Sequence, residues 1–208
     1  EPMKNHTTFR IGGPAKVFVT PRTSEEVRAI VAVCREGKIP YYIVGNGSNL
    51  LVSDQGYEGV IIQIYREMNE IRVEGDTVTA QAGALLSAIA NRALEEGLAG
   101  FEFASGIPGT LGGACIMNAG AYGGEMKDVI GEVTLLTPEG EVRAVPADQR
   151  EFGYRTSIAA RTGAIVLGAG IQLQRGDKDE IRARMEELRE KRVSKQPLEY
   201  PSAGSTFK

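Results

Sequence analysis

Histidine is nearly missing from this chain: among 208 residues there is one, His6. That scarcity excludes most metal sites, which draw on imidazole, and any Ser–His or Cys–His relay that does not run through His6. Cysteine is scarce too. Cys34 and Cys115 lie in apolar surroundings and read as reduced, buried thiols of a cytosolic protein, not as a disulfide. No apolar run approaches the roughly 20 residues that span a bilayer. The opening Glu1-Pro2-Met3-Lys4 has no signal-peptide apolar core. A cytoplasmic protein without a membrane partner is therefore expected. The formal net charge is −3, with Lys and Arg spread along the chain, so there is no basic face to select nucleic acid. Internal repeats and low-complexity tracts are also lacking. The remaining composition, 42% hydrophobic and 25% charged, suits one large or two small globular units.

Charge is missing from one stretch in particular. Gly106 to Gly124 holds seven glycines in nineteen residues and no charged side chain. Glycine loses the most backbone freedom on folding, so it is kept where φ must be positive or where backbone lies against a ligand. Successive backbone N–H groups can hold an anion without a charged side chain, which points to a phosphate-bearing ligand. A second cluster, Gly45-Asn46-Gly47-Ser48-Asn49, follows the apolar run Tyr41 to Val44. It opens as Gly-x-Gly, but Leu50 stands where a dinucleotide fingerprint needs its third glycine. No Gly-Lys-Ser/Thr is present, so the P-loop also fails. Taken alone, residues 45–49 fit a plain tight turn as well as a phosphate loop. Two such loops on two lobes would suit a long pyrophosphate ligand in the crevice between them.

Periodicity supplies the frame. Val17 to Val19 reads as a strand. Thr23-Ser24-Glu25-Glu26 is a capping box that opens a helix with Val27, Ile30, Val31 and Cys34 on one face, ended by Gly37. Tyr41 to Val44, Leu50 to Val52 and Val60 to Ile64 read as strands, with a turn at Asp54-Gln55-Gly56. Val78, Ala80 and Ala82 alternate as a half-buried strand. Leu86, Ile89, Ala90, Ala93 and Leu94 form a helix face that stops at Gly97. Val133 to Thr137 and Glu141 to Val145 form a hairpin around Pro138-Glu139-Gly140. Ile165 to Gln174 is a further strand, and from Asp179 to about Arg192 runs a charged helix with Ile181, Met185 and Leu188 on one face. Strict βαβα alternation is lacking. The expected class is α+β, with mixed or antiparallel sheets in two lobes that meet near residues 65–75.

Five segments together resemble a known family. They are residues 5–15 (Asn-His-Thr-Thr-Phe-Arg-Ile-Gly-Gly-Pro-Ala), 45–51, 105–123, Phe152-Gly153-Tyr154-Arg155-Thr156-Ser157, and Ser202-Ala203-Gly204-Ser205-Thr206-Phe207-Lys208. In this order they are similar to the UDP-N-acetylenolpyruvoylglucosamine reductases, over essentially the whole chain. The resemblance implies a two-lobed FAD-binding domain of the vanillyl-alcohol-oxidase (PCMH) type. It divides the chain into lobe 1 (residues 1–70), lobe 2 (71–195) and the start of a substrate-binding domain (196–208). It further implies non-covalent FAD, NADPH as hydride donor and a UDP-sugar substrate, in peptidoglycan precursor synthesis. Gly45, Asn46, Gly47, Ser48 and Asn49 would hold FAD with Gly106, Ile107, Pro108, Gly109, Thr110, Gly112, Gly113, Asn118 and Gly120. Backbone N–H groups would do most of this, with Ser48, Asn49 and Asn118 adding side-chain hydrogen bonds. Arg155 would stabilise the enolate formed on hydride addition, and Ser205 would protonate its α-carbon. Ser205 is an unusual general acid that needs a polarising neighbour such as Lys208. Tyr122, Tyr154, Lys195 and Lys208 would meet the substrate.

Several alternatives stay open. Arg192 and Lys195 either suit the dipole at the end of the last helix or face a substrate phosphate. His6 reads as a polar residue of the N-terminal segment, not a base or covalent flavin anchor. The chain ends inside the Ser205 motif, so the expectation is a truncated form that binds FAD without turnover. A monomer is favoured. A non-catalytic flavin or nucleotide module, or a flavin oxidase of the same superfamily, are the competing functions.

Overall fold

The computed structural model describes residues 1–196 and 200–201. The first half builds a small sheet. Strand β1 (Ala15–Val19) leads into helix α1 (Ser24–Glu36), strand β2 (Tyr41–Val44) and strand β3 (Tyr57–Gln63). Thr23 caps α1, its side chain accepting from Glu26 N at 3.1 Å. The return bond of Glu26 goes to Arg22 N at 2.8 Å, one residue earlier than a capping box requires. Val27, Val31 and Cys34 form the buried face of α1. The sheet order is β1-β3-β2, and both pairings are parallel. Central β3 is covered on both faces. Val60 and Ile62 enter the main core, while Ile61 points the other way into a small cluster with Met3, Ala15 and Val44.

Leu50 to Val52 is not a strand. It joins neither of the outer strands, β1 or β2, of the small sheet. It lies instead against the N-terminal segment, where Gly13 N donates to Ser53 O at 2.9 Å. Its Leu51 is 70% exposed.

The second half builds an antiparallel sheet. A hairpin of β4 (Ile71–Glu74) and β5 (Thr77–Gln81) precedes α2 (Leu86–Glu95) and the short β6 (Leu98–Ala99). After them come α3 (Leu111–Ile116), a tight hairpin of β7 (Gly120–Ala121) and β8 (Gly124–Glu125), and α4 (Met126–Val129). The chain continues through β9 (Ile130–Leu136), β10 (Val142–Pro146), α5 (Ile158–Thr162), β11 (Ile165–Gln172), β12 (Gln174–Arg175) and α6 (Lys178–Val193). The sheet order is β10-β9-β11-β5-β4, antiparallel throughout. Asp177 caps α6 through Asp179 N and Glu180 N. Ile181 and Leu188 are buried, and the outer face pairs Arg182 with Asp179 and Arg184 with Glu187 in solvent. A single apolar cluster runs from Val27, Ile62 and Ile64 to Val78, Leu86, Leu111 and Ile171, so the two sheets share one core. Cys34 and Cys115 are free and buried. Burial pushes the pKa of the Cys115 thiol up to about 12, a shift opposed but not reversed by nearby Arg150.

Candidate functional site

Residues 45–49 leave the parallel sheet at the carboxyl end of β2, the edge at which parallel sheets bind ligands. Gly47 takes φ +69°. A Cβ there would collide with the carbonyl oxygen of His6, and Thr8 N donates to Gly47 O at 3.2 Å. His6 is fixed in turn. Its Nε2 lies 2.8 Å from Glu1 Oε1 and its ring is stacked on Phe18, so it is a polar residue of the N-terminal segment. Gly45 touches Thr110: a Cβ on it would strike the Thr110 hydroxyl. Ser48 Oγ donates to Pro108 O at 2.5 Å, and Asn49 Nδ2 sits 4.0 Å from Met117 Sδ. The two glycine segments, some sixty residues apart, are therefore pressed together. Among the described residues, the backbone N–H groups of residues 46–49 donate to no protein acceptor, nor do those of Gly109, Thr110 and Gly113.

The amides at the start of α3 are different. Leu111 N donates to Ala84 O and Gly112 N to Ala82 O, both at 2.8 Å. A Cβ on Gly112 would stand 2.9 Å from Ala82 Cβ. Gly112 thus lets α3 lie directly on the end of β5, and its N–H is not available to a ligand.

Beyond α3, Tyr122 (φ +53°) and Gly123 (φ +89°) turn the β7–β8 hairpin, the positive-φ pair of a tight two-residue turn. Gly120 allows the strands to close, since a Cβ on it would lie 2.7 Å from Gly124 O. A second tight turn faces this one. Gly153 and Thr156 exchange backbone hydrogen bonds at 3.1 and 3.4 Å, placing Tyr154 and Arg155 at its tip, with Arg155 at φ +56°. Behind the turn the Arg150 guanidinium stacks on Phe152, and Ser157 Oγ donates to Ile116 O at 2.8 Å. Asn118, Gly120, Tyr122, Glu125, Tyr154 and Arg155 border one cavity of about 240 Å³. The Lys127 ammonium, 2.7 Å from Glu125, and then the Asn118 amide hold the Glu125 carboxyl below the ordinary carboxylate range.

The Asn118 side chain is committed within the protein. Its Nδ2 donates to Glu125 Oε2 at 2.9 Å and to Gly153 O at 3.1 Å, and its Oδ1 accepts from Lys127 N at 2.9 Å. Both amide hydrogens have protein acceptors, so none remains for a cofactor. Ser205 and Lys208 lie outside the described residues. Lys195 is exposed just past α6. The sequence favours a helix-end role for Arg192; its Cδ lies 3.5 Å from where a Cβ on Gly106 would stand, against the glycine segment. Glu125 escaped the sequence reading; its place two residues beyond the Gly123 turn was the available signal. A larger cavity, about 560 Å³, opens beside α6, but Glu102, Asp128, Asp177 and Glu180 on its rim disfavour a phosphate ligand.

A sequence family described as an FAD binding domain matches residues 15–145. A UDP-N-acetylenolpyruvoylglucosamine reductase of Clostridioides difficile is 50% identical over 208 residues, covering 100% of this chain and 68% of that protein. The crystal structure of the UDP-N-acetylenolpyruvylglucosamine reductase from Thermus caldophilus superposes with a TM-score of 0.83 at 35% identity, covering 100% of this chain and 73% of that one. The fold alone is shared with cholesterol oxidase from Brevibacterium sterolicum, TM-score 0.62 at 17% identity, covering 82% of this chain and 36% of that one.

Proposed function

This chain belongs to the UDP-N-acetylenolpyruvoylglucosamine reductase family, and we propose that it serves the reaction of that family: reduction of UDP-N-acetylglucosamine enolpyruvate to UDP-N-acetylmuramate with FAD and NADPH, for peptidoglycan precursors. One observation carries the reading. Two touching glycine loops with unbonded N–H groups open beside a cavity bordered by Tyr122, Tyr154 and Arg155. The residues fit FAD, because among the described residues the two loops present backbone N–H groups without protein acceptors, and neither loop carries a charged side chain that would compete for a pyrophosphate. Bound there without a covalent bond, the flavin supplies hydride transfer between reduced nicotinamide and the enolpyruvyl double bond.

The backbone amides of residues 46–49, with those of Gly109, Thr110 and Gly113, hold the pyrophosphate. Gly106, Ile107, Pro108, Gly112 and Gly120 shape the wall. Arg155 presents a planar, permanently charged fork to the substrate carboxylate. As hydride adds to the β-carbon, negative charge grows on the enolate, and the fork stabilises it more than the ground state. Ser205 gives the α-carbon its proton, with its hydroxyl polarised by Lys208. Tyr122 and Tyr154 flank the sugar nucleotide, and Lys195 meets a phosphate. The same reading places FAD between lobes 1–70 and 71–195, with 196–208 opening a substrate-binding domain. It carries with it a cytoplasmic monomer that acts on soluble ligands.

The protein carrying this sequence is titrated with FAD and followed by its visible band, then assayed for NADPH oxidation with and without the enolpyruvyl substrate. Arg155→Ala should keep the flavin band and lower kcat by about 10³-fold, the scale for losing one charge-stabilising donor. Failure to bind flavin refutes the reading. NADPH consumption that needs only air, at the same rate, marks an oxidase instead.

A further inference from the structure

Among the described residues, six non-glycine residues have left-handed backbone, and three of them, Asn118, Tyr122 and Arg155, border the same cavity. Strain of this kind persists only where neighbours over-determine it, and it concentrates at working sites. Asn118 is the best suited of the three to this conformation, because a short polar side chain tolerates it. It is also the most buried, at 4% exposure, whereas Tyr122 and Arg155 are exposed.

The Asn118 amide joins three pieces of chain. Nδ2 reaches Glu125 at the end of the hairpin that carries Tyr122, and Gly153 O in the turn that carries Tyr154 and Arg155. Oδ1 accepts from Lys127 N, at the first turn of α4. Glu125 is gathered in the same knot: it takes the Lys127 ammonium, and it shares a reciprocal cap with Asp128. We propose that Asn118 is a positioning residue, whose side-chain amide fixes the 153–156 turn against the 120–125 hairpin and so sets where Arg155 stands relative to Tyr122. The two turns share no backbone hydrogen bond among the described residues, and this amide is a buried polar link between them. The inference rests on the reading that Arg155 meets the substrate.

Asn118→Asp keeps the shape, the left-handed tolerance and the acceptor for Lys127 N. It replaces the donor with a second carboxyl facing Glu125 and the Gly153 carbonyl. The charged groups around it are Glu125, Lys127 and Asp128 from the hairpin and α4, and Arg155 from the turn. Two carboxylates in one site share a proton more readily as pH falls, and that proton restores one donor. The protein carrying this sequence is loaded with FAD and followed in two halves: bleaching of the flavin band by NADPH, and its return on adding the enolpyruvyl substrate. FAD affinity should stay within about threefold and bleaching should be unchanged. The return should slow by about 100-fold at pH 8, the scale for a misplacement near 1 Å, and recover most of that loss near pH 5.5. Asn118→Gly keeps the backbone and removes every link, so it should show the same slow return with no recovery in acid. It also answers the question if the Asp variant does not fold. Loss of FAD affinity in a folded variant makes Asn118 a cofactor ligand and overturns the proposal, as does an unchanged rate of return. If the unmodified protein never restores its band with substrate, the proposed function fails, whatever the variants do.

Discussion

Residues 46–49 and residues 118–125 border the same site, yet they treat hydrogen bonds in opposite ways. Among the described residues, the first leave their backbone N–H groups without protein acceptors and take their shape from outside: the His6 carbonyl behind Gly47, Thr110 against Gly45, and Pro108 under Ser48. The second tie their polar groups together through Asn118, Glu125, Lys127 and Asp128. An anion-binding wall must keep donors free, so its rigidity comes from steric backing. A wall that aims side chains has no such need, and its rigidity comes from internal hydrogen bonds. Loss of backing should therefore harm cofactor binding in the first region, whereas loss of bonds should harm chemistry in the second.

The strongest way to break that contrast is Gly47→Ala. Positive φ and a collision with the His6 carbonyl together should cost roughly 3 kcal/mol of stability, from strain and overpacking. FAD binding should fall with it, read by denaturant midpoint and flavin titration. A variant that melts normally and binds FAD would show that the backing is dispensable. Ser48→Ala should act more mildly. It removes one hydrogen bond between the glycine loops, worth about 1 kcal/mol. The flavin should bind several-fold more weakly while the rate with saturating FAD holds; a lower rate at full saturation would blur the distinction between the walls. The smallest effect concerns acid. The Glu125 carboxyl is held below its unfolded range by Lys127 and Asn118, so its contribution is complete above the ordinary carboxylate pKa. It is lost as pH falls through the lower, folded value. Glu125→Gln should flatten that part of the melting-temperature profile on the acid side and leave FAD affinity alone. Parallel profiles for the two proteins would remove Glu125 from the knot.

Much of the frame was legible because it is local. The Thr23 cap, the α1 face of Val27, Val31 and Cys34, and the 130–146 hairpin each follow from residues close in sequence. The glycine content of 106–124 located one wall of the site for the same reason. Failures came where partners are distant. Leu50 to Val52 has strand chemistry but packs against the N-terminal segment at Gly12 and joins no sheet, and Ile71–Glu74, half polar, becomes a strand only because β5 pairs with it. The family resemblance marks Asn118 as a side-chain donor of the glycine segment. It could not reveal that Gly153, 35 residues away, takes one of its hydrogens. The commitment of Gly112 N to Ala82 O is likewise a fact of packing.

The contacts that define the site are nearly all long-range in sequence: His6 with Gly47, Gly45 with Thr110, Ser48 with Pro108, Asn118 with Gly153. Each closes a large loop of chain, and such closures come late and slowly in folding. The phosphate cradle is thus a product of the finished topology and has no local nucleus of its own. A collapsed intermediate with its helices formed would have none of the site, so the growth of a bound flavin signal during refolding should time the last step of assembly.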